Sequence, residues 1–179
     1  MVYILLANGF EDIEALAACD MLRRAQIDVK LTSIYPTLAV KTSHNVNVIA
    51  DISLSEINRD DIDMLVIPGG MPGTTNIDSL PQIDGLLDYC IKKDKFIAAI
   101  CAGPLVLGKR SILSGKNAIC YPGFEKFLYG ANICSDKKVV TDGKIITAIG
   151  PGAAIDFGLE LCRILAGDAI ANKIKEGLC

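Results

Sequence analysis

Residues 2–7 form an unbroken apolar run, Val-Tyr-Ile-Leu-Leu-Ala, with no polar residue alternating through it. A strand with one wet face alternates. One that does not is buried on both faces, the habit of a parallel sheet covered by helices. The same character returns at residues 63–67 and 96–100. Between these runs lie stretches of helical period. From 12 to 25, Ile13, Leu16, Ala17, Met21 and Leu22 recur at helical spacing, and the carboxylates of Glu11 and Asp12 suit a helix N-terminus. Residues 28–34 read as a second strand and 81–93 as a second helix. Strand alternating with helix predicts an α/β fold with a mostly parallel central sheet and helices on both faces.

The remaining segments fit the same plan. Residues 38–42 and 46–50 alternate around Thr42-Ser43-His44-Asn45, which predicts a hairpin, and 138–141 and 144–149 flank Asp142-Gly143, a strong hairpin turn. The stretch 71–76, rich in Gly, Pro and Thr, reads as a loop, and 102–108 as a helix continuing directly from the strand at 96–100. Residues 117–120 read as a strand and 124–128 as a short helix. A long helix follows Gly150-Pro151-Gly152 and runs through 165, with a last one at 168–175. There is no linker or internal repeat, and 179 residues suit a single domain over 1–179.

Composition excludes several classes. The net charge is −3, which argues against nucleic acid as the main partner, because phosphate binding needs clustered Lys and Arg. No apolar run approaches the roughly 20 residues of a spanning helix. The N-terminus lacks the basic region of a signal peptide, so the expected compartment is the cytoplasm and no membrane partner is expected. The seven cysteines, Cys19, Cys90, Cys101, Cys120, Cys134, Cys162 and Cys179, contain no C-x-x-C pair, and the single histidine, His44, is far from all of them in sequence. Zinc-ligand spacing is absent and no metal is expected. Most of these thiols are expected as reduced, buried hydrophobes. Cys101 is the exception.

Ligands of a parallel sheet bind beyond the carboxyl ends of its strands. Three features fall there. Ala99-Ile100-Cys101-Ala102-Gly103 has the small-x-nucleophile-x-small form of a strand-to-helix elbow. A helix N-terminus aimed at the sulfur would favour thiolate and lower its pKa. The same pentapeptide also suits a plain tight junction around a buried cysteine. Gly69-Gly70, after Pro68, lets backbone N–H groups face a ligand as an oxyanion hole requires, although glycine pairs also make ordinary turns. Glu14, in the first turn of the first helix, faces the same sheet edge if Glu11 and Asp12 face solvent. Beside a cysteine its pKa would rise and it could shuttle a proton near neutral pH; otherwise it only complements the helix dipole.

Taken together, Gly9-Phe10-Glu11-Asp12-Ile13-Glu14, Val66-Ile67-Pro68-Gly69-Gly70, Ala98-Ala99-Ile100-Cys101-Ala102-Gly103-Pro104 and Gly150-Pro151-Gly152 with Ala154-Ile155-Asp156-Phe157-Gly158-Leu159 resemble, in order and over nearly the whole chain, the DJ-1 branch of the ThiJ/PfpI superfamily. The resemblance implies a flavodoxin-like three-layer sandwich, a homodimer and a reactive elbow cysteine. It makes Cys101 the nucleophile or redox cysteine and Glu14 the protonated carboxyl on its sulfur, with Gly69, Gly70 and Ala102 in the anion pocket. Arg24 and His44 match positions where relatives carry basic residues near an anion-binding groove. Read from its hairpin position alone, His44 is an ordinary solvated loop histidine. Two departures stand out. Where some members carry a His-Pro pair, this chain has Tyr121-Pro122, and a phenol of pKa ~10 is a poor base at neutral pH. Protease-like relatives carry a histidine directly after the cysteine, where this chain has Ala102.

Two functions compete. One is a cofactor-free enzyme on small reactive carbonyls, such as methylglyoxal or glyoxal, giving a hydroxy acid as a glyoxalase III does, or repairing glycation adducts as a deglycase with the same residues. The other is a non-catalytic oxidative-stress sensor or chaperone working through oxidation of Cys101 to sulfinate. A glutamine amidotransferase or a cysteine α/β-hydrolase needs a histidine downstream of the nucleophile, and none follows His44. A receiver domain needs an aspartate ending a central strand, whereas Asp63 begins one and Pro68 follows it.

Overall fold

The computed structural model describes residues 1–178. The first strand, β1 (Val2–Leu6), is buried at every residue. Helix α1 (Asp12–Arg24) returns the chain to β2 (Val29–Ser33). A hairpin follows, β3 (Ala39–Lys41) antiparallel to β4 (Asn47–Ile49). The short β5 (Ile52–Ser53) and two 3-10 turns lead into β6 (Met64–Ile67). Next come α2 (Gly73–Asp78), α3 (Pro81–Lys92), β7 (Phe96–Ile100) and α4 (Pro104–Gly108). The C-terminal third holds β8 (Asn117–Ala118), β9 (Asn132–Ile133), β10 (Val139–Asp142), β11 (Ile145–Ala148), α5 (Ala154–Ala166) and α6 (Asp168–Glu176).

The main sheet has seven strands in the order β10-β11-β7-β6-β1-β2-β5. Every neighbouring pair is parallel except β10–β11. The inner five, β2-β1-β6-β7-β11, run 2-1-3-4-5 in chain order, the flavodoxin-like arrangement. Alternation along each strand is real, but both faces are dry. Val2, Ile4, Leu6, Val66, Ala98 and Ile100 pack under α1, α5 and α6. Tyr3, Leu5, Leu65, Ile67, Ile97 and Ala99 pack under α3 and α4 on the other face. That is why residues 2–7 show no hydropathy alternation. Helices α1 and α5 approach closely where a side chain on Gly158 would begin 2.7 Å from Met21 Cγ.

The structure corrects several expectations. The predicted loop at 71–76 is mostly helix α2: Thr74 is fully buried and its hydroxyl donates to the Gly70 carbonyl, and Gly73 sits so close to Phe10 that a Cβ would lie 2.6 Å from its nitrogen. Tertiary fit outweighs weak local propensity there. The helix predicted from 102 starts only at Pro104, because residues 101–103 form a turn closed by the Gly103 N–H on the Ile100 carbonyl. The strand predicted at 117–120 shrinks to β8, which pairs with β9, a strand the sequence pattern does not reveal. Cys19, Cys90, Cys120 and Cys162 are buried and Cys134 is partly so; Cys179 lies outside the described residues. Burial pushes the thiols of Cys90 and Cys162 up to about 11. Among the described residues, no helix is long and apolar enough to cross a membrane.

Phe157 is fully buried between α5 and the sheet. Truncating it leaves a cavity that the packed helices close only partly. Phe157→Ala is expected to lower the unfolding free energy by about 3–5 kcal/mol, read from urea denaturation with the slope unchanged.

Candidate active site

In a 2-1-3-4-5 sheet, the connections leave β1 and β6 toward opposite faces, which opens a crevice at the carboxyl ends of these two neighbours. The residues after β1 are Asn8 to Glu14, and those after β6 are Pro68 to Gly70. The next strand, β7, ends at Cys101. The topology therefore brings the three predicted features together.

Cys101 has φ +64°, a left-handed conformation that a side chain adopts only when its surroundings enforce it. Its N–H donates to the Ala148 carbonyl at 2.9 Å and its carbonyl accepts from the Tyr121 N–H at 2.8 Å. Gly103 makes the elbow sterically feasible: a Cβ there would lie 2.5 Å from the Ile67 carbonyl oxygen. Cys101 is partly exposed, and the backbone N–H groups of Ala102 and Gly70 lie near enough to favour its thiolate.

Glu14 is completely buried. Its Oε2 accepts from the Gly69 N–H at 2.8 Å, and its Oε1 has no partner at hydrogen-bond geometry, although the carboxyl is close enough to Cys101 for each to act on the other. Gly69 is the hinge of this arrangement: a Cβ there would lie 2.6 Å from both Cys101 Cβ and Glu14 Oε2. Its N–H is therefore committed to Glu14, which leaves the N–H groups of Gly70 and Ala102 of the predicted trio near the sulfur.

Burial pushes the Glu14 carboxyl up to about 7, against the Cys101 contact and the Gly69 N–H, with the Glu11 charge adding to the rise. The predicted lowering of the thiol is also corrected. Burial first, then the Glu14 charge, push Cys101 up, and the N–H groups of Ala102 and Gly70 only partly oppose this. A helix of one turn has little dipole to contribute. Two buried acids this close titrate as a pair. With one proton between them, carboxylate beside thiol and carboxylic acid beside thiolate carry the same charge, so thiolate forms when the proton moves to Glu14 rather than to water.

Tyr121 lies beside the sulfur. From Gly150, a Cβ would begin 3.0 Å from Tyr121 Cδ2 and 3.8 Å from Cys101 Sγ. Within the chain, His44 and Arg24 lie at opposite ends of α1. His44 sits in the β3–β4 turn, exposed, with Nδ1 2.7 Å from Asp12 Oδ2 and 3.2 Å from Ser43 Oγ. Ser43 Oγ also donates to Glu11 Oε2 at 3.0 Å. This contact holds the hairpin tip against the start of α1 and partly covers Glu11 and Asp12. Arg24 is ten residues beyond Glu14 on α1, about 15 Å along the axis, and pairs with Asp20. Its place at the far end of the helix is what separates it from Cys101 within the chain. Glu11, Asp12 and His44 offer ligand atoms within 4.8 Å of one another, the one metal-compatible grouping among the described residues, and these atoms already bond one another and Ser43.

The Asp12 hydrogen bond first, and the Glu11 charge second, raise the His44 pKa. As the chain has one histidine, its ring proton gives a single NMR titration. The midpoint is expected above the ordinary value of ~6.5 and should fall in Asp12→Asn. A midpoint that does not move would refute the pairing.

Comparison with known proteins matches this geometry. The DJ-1/PfpI family profile matches residues 1–164. Protein dj-1beta of Drosophila melanogaster is 36% identical over 176 residues, covering 98% of this chain and 94% of that protein. A Caenorhabditis elegans protein described as glutathione-independent glyoxalase DJR-1.2 is 32% identical over 169 residues, covering 94% and 90%. The crystal structure of Drosophila melanogaster DJ-1beta superposes with a TM-score of 0.94 at 37% identity, covering 99% of this chain and 96% of that one. With the sheet order and the Cys101 elbow already in place, the profile and the full-length relatives lead to one conclusion: this chain belongs to the DJ-1/PfpI family.

Proposed function

We propose that the protein converts small α-oxoaldehydes to α-hydroxy acids without a cofactor, with Cys101 as nucleophile and Glu14 as proton carrier. The observation that carries this reading is the fully buried Glu14 carboxyl, raised to about 7 beside a strained, partly exposed cysteine. The similarity to a relative described as a glutathione-independent glyoxalase supports it.

The atoms balance within the substrate. The Cys101 sulfur bonds to the aldehyde carbon, and the proton that leaves the thiol through Glu14 goes to the carbonyl oxygen, giving a hemithioacetal. The N–H groups of Gly70 and Ala102 hold the developing oxyanion. Glu14 removes the hydrogen from the former aldehyde carbon as a proton and returns it to the neighbouring carbon, while the hydroxyl proton on the first carbon passes to the oxygen of the second. The first carbon is thereby oxidised to a thioester and the second reduced to an alcohol. Water cleaves the thioester, releasing the hydroxy acid and restoring the thiol. Repair of glycation adducts would use the same groups on a larger substrate.

The pH dependence follows from the pair. Below about 7, Glu14 and Cys101 hold two protons and no thiolate is available. Above it one proton remains and the thiolate form is reachable. Hydroxy-acid formation from methylglyoxal is therefore expected to rise with pH and inflect near 7. Cys101→Ser should abolish it, and Glu14→Gln should reduce it by about 100-fold or more. Wild-type protein that forms no hydroxy acid sinks the carbonyl reading.

A second reading rests on the unpartnered, buried Glu14 Oε1. As a carboxylic acid it can donate to a sulfinate oxygen on Cys101, stabilising an oxidised thiol as a stress signal. Peroxide would then add about 32 Da to Cys101 ahead of the other cysteines, with little carbonyl turnover.

Both readings carry a cytoplasmic setting, where thiols stay reduced, and a homodimer. The dimer is supported by exposed apolar residues on α1 and the adjoining hairpin, Ile13, Leu16, Val46 and Ile49, the last 66% exposed. Light scattering is expected to give twice the chain mass, reverting to one in Ile13→Asp/Ile49→Asp; an unchanged mass in the double variant rejects this face.

A further inference from the structure

A cavity of about 370 Å³ lies away from Cys101, on the sheet face covered by α3. That is the size of a small-molecule pocket. The loop leaving β2 supplies Ile34 and Pro36 to its walls, the chain after β5 supplies Leu54 and Ile57, and α3 supplies Leu86. These walls are apolar. None of Glu14, Gly70, Cys101 and Ala102 lines the cavity, so it is separate from the reactive pair. It also lies across the sheet from α1, on which the proposed dimer face is built.

The charge in this lining is one-sided. Arg59 is its one charged residue. Of the five arginines, Arg23, Arg24, Arg110 and Arg163 form ion pairs. Arg59 has neither an ion pair nor a side-chain hydrogen bond among the described residues. Its Nη2 lies 3.4 Å from the point that a Cβ on Gly85 would occupy, so the guanidinium rests against α3. The acids nearest in sequence are engaged elsewhere. Glu56 accepts from the Ser53 N–H at 2.8 Å, Asp60 from the Tyr89 hydroxyl at 3.2 Å, and Asp61 from the Tyr3 hydroxyl at 2.6 Å.

Two further donors in the lining lack an acceptor among the described residues. One is the Gln82 amide; the other is the Tyr35 hydroxyl, which only accepts, from the Asn8 N–H at 3.3 Å. Ser55 does not join them. Ser53 gives its one hydroxyl proton to Glu56, so Ser55 must give its own to Ser53.

A guanidinium is a planar fork of donors that fits a carboxylate through two parallel bonds. One cation balances a single negative charge, which favours a carboxylate over a dianionic phosphate. The apolar walls call for hydrocarbon on the rest of the molecule, since a bare anion would leave them wet. We propose that this cavity binds a small amphipathic carboxylate, with Arg59 on the carboxylate and an aryl or branched alkyl body against Ile34, Ile57 and Leu86. The assignment does not depend on carbonyl turnover at Cys101.

The test is calorimetry with hydrocinnamate, phenylacetate and isocaproate, with the corresponding neutral amides and acetate as controls. Wild type is expected to bind at least one of the three acids saturably, at one site per chain. Its amide, which lacks the charge, and acetate, which lacks the body, should each bind about 10-fold more weakly or worse. Arg59→Gln should weaken the acid by about 10-fold or more and leave the amide unaffected, with thermal melting unchanged because Arg59 is exposed. Alkylating Cys101 with iodoacetamide beforehand should leave binding as it was. No saturable binding of any acid overturns the proposal, and so does an acid held equally by wild type and Arg59→Gln. Equal affinity for acid and amide, or for acid and acetate, refutes the ligand class in wild type without any variant. Loss of binding on alkylation also overturns it, by placing the carboxylate at Cys101.

Discussion

A carboxyl group with no access to water, held against a thiol, is the constraint around which the rest of the site is arranged. Charging Glu14 costs desolvation, which the Cys101 contact and the Gly69 N–H offset only in part. The second oxygen is left without a partner. Such a group persists in a fold only where the surroundings are rigid enough to deny it relaxation, and here they are. Gly69 brings the backbone to both Glu14 and Cys101, and the buried face of α1 fixes the helix that carries the carboxyl. The strain at Cys101 belongs to the same arrangement: φ +64° turns the sulfur toward the carboxyl and the two free N–H groups.

The doubly covered sheet makes this rigidity possible. Its strands are buried on both faces, so the strand ends move little relative to one another. Loops leaving β1, β6 and β7 then deliver groups from residues 14, 69 and 101 to one point despite their separation in sequence. Only small residues permit the convergence. Gly69 and Gly103 each stand where a methyl group would meet backbone or the reactive pair. A substitution at either would disturb the site through geometry without removing a reactive group.

What could be read from residues alone follows the range of the forces involved. β1, β6 and β7 were legible because burial on two faces leaves an unbroken apolar run, and the β10–β11 turn because Asp142-Gly143 favours it locally. The meeting of Glu14 with Cys101 was legible because strand order fixes where strand ends lie. Helix α2 was not, since Gly73 becomes helical against Phe10, a contact that only the folded chain supplies. The thiol's titration was misread for a related reason. The elbow motif suggests a helix dipole, but the one-turn length of α4 and the burial of the sulfur are tertiary facts. Arg24 and His44 look paired as family positions, and within one chain the 1.5 Å rise per residue of α1 sets Arg24 at the end of the helix away from His44.

Tyr121 bears on how protons move. With a phenol beside the sulfur, the one histidine engaged by Asp12 at the hairpin tip, and burial driving the thiol upward, Glu14 is the group at the site placed to change charge near neutral pH. In the proposed reaction, both the proton leaving the thiol and the hydrogen moving between substrate carbons depend on that one carboxyl. Such a group must lie between the two positions it serves and must hold a proton only loosely near pH 7. Burial meets the second condition by raising Glu14 to about 7. The open Oε1, free of the backbone bond that anchors Oε2, meets the first. In the proposed reaction Glu14 therefore carries the proton movements, since the single histidine stands at the hairpin tip rather than beside the sulfur.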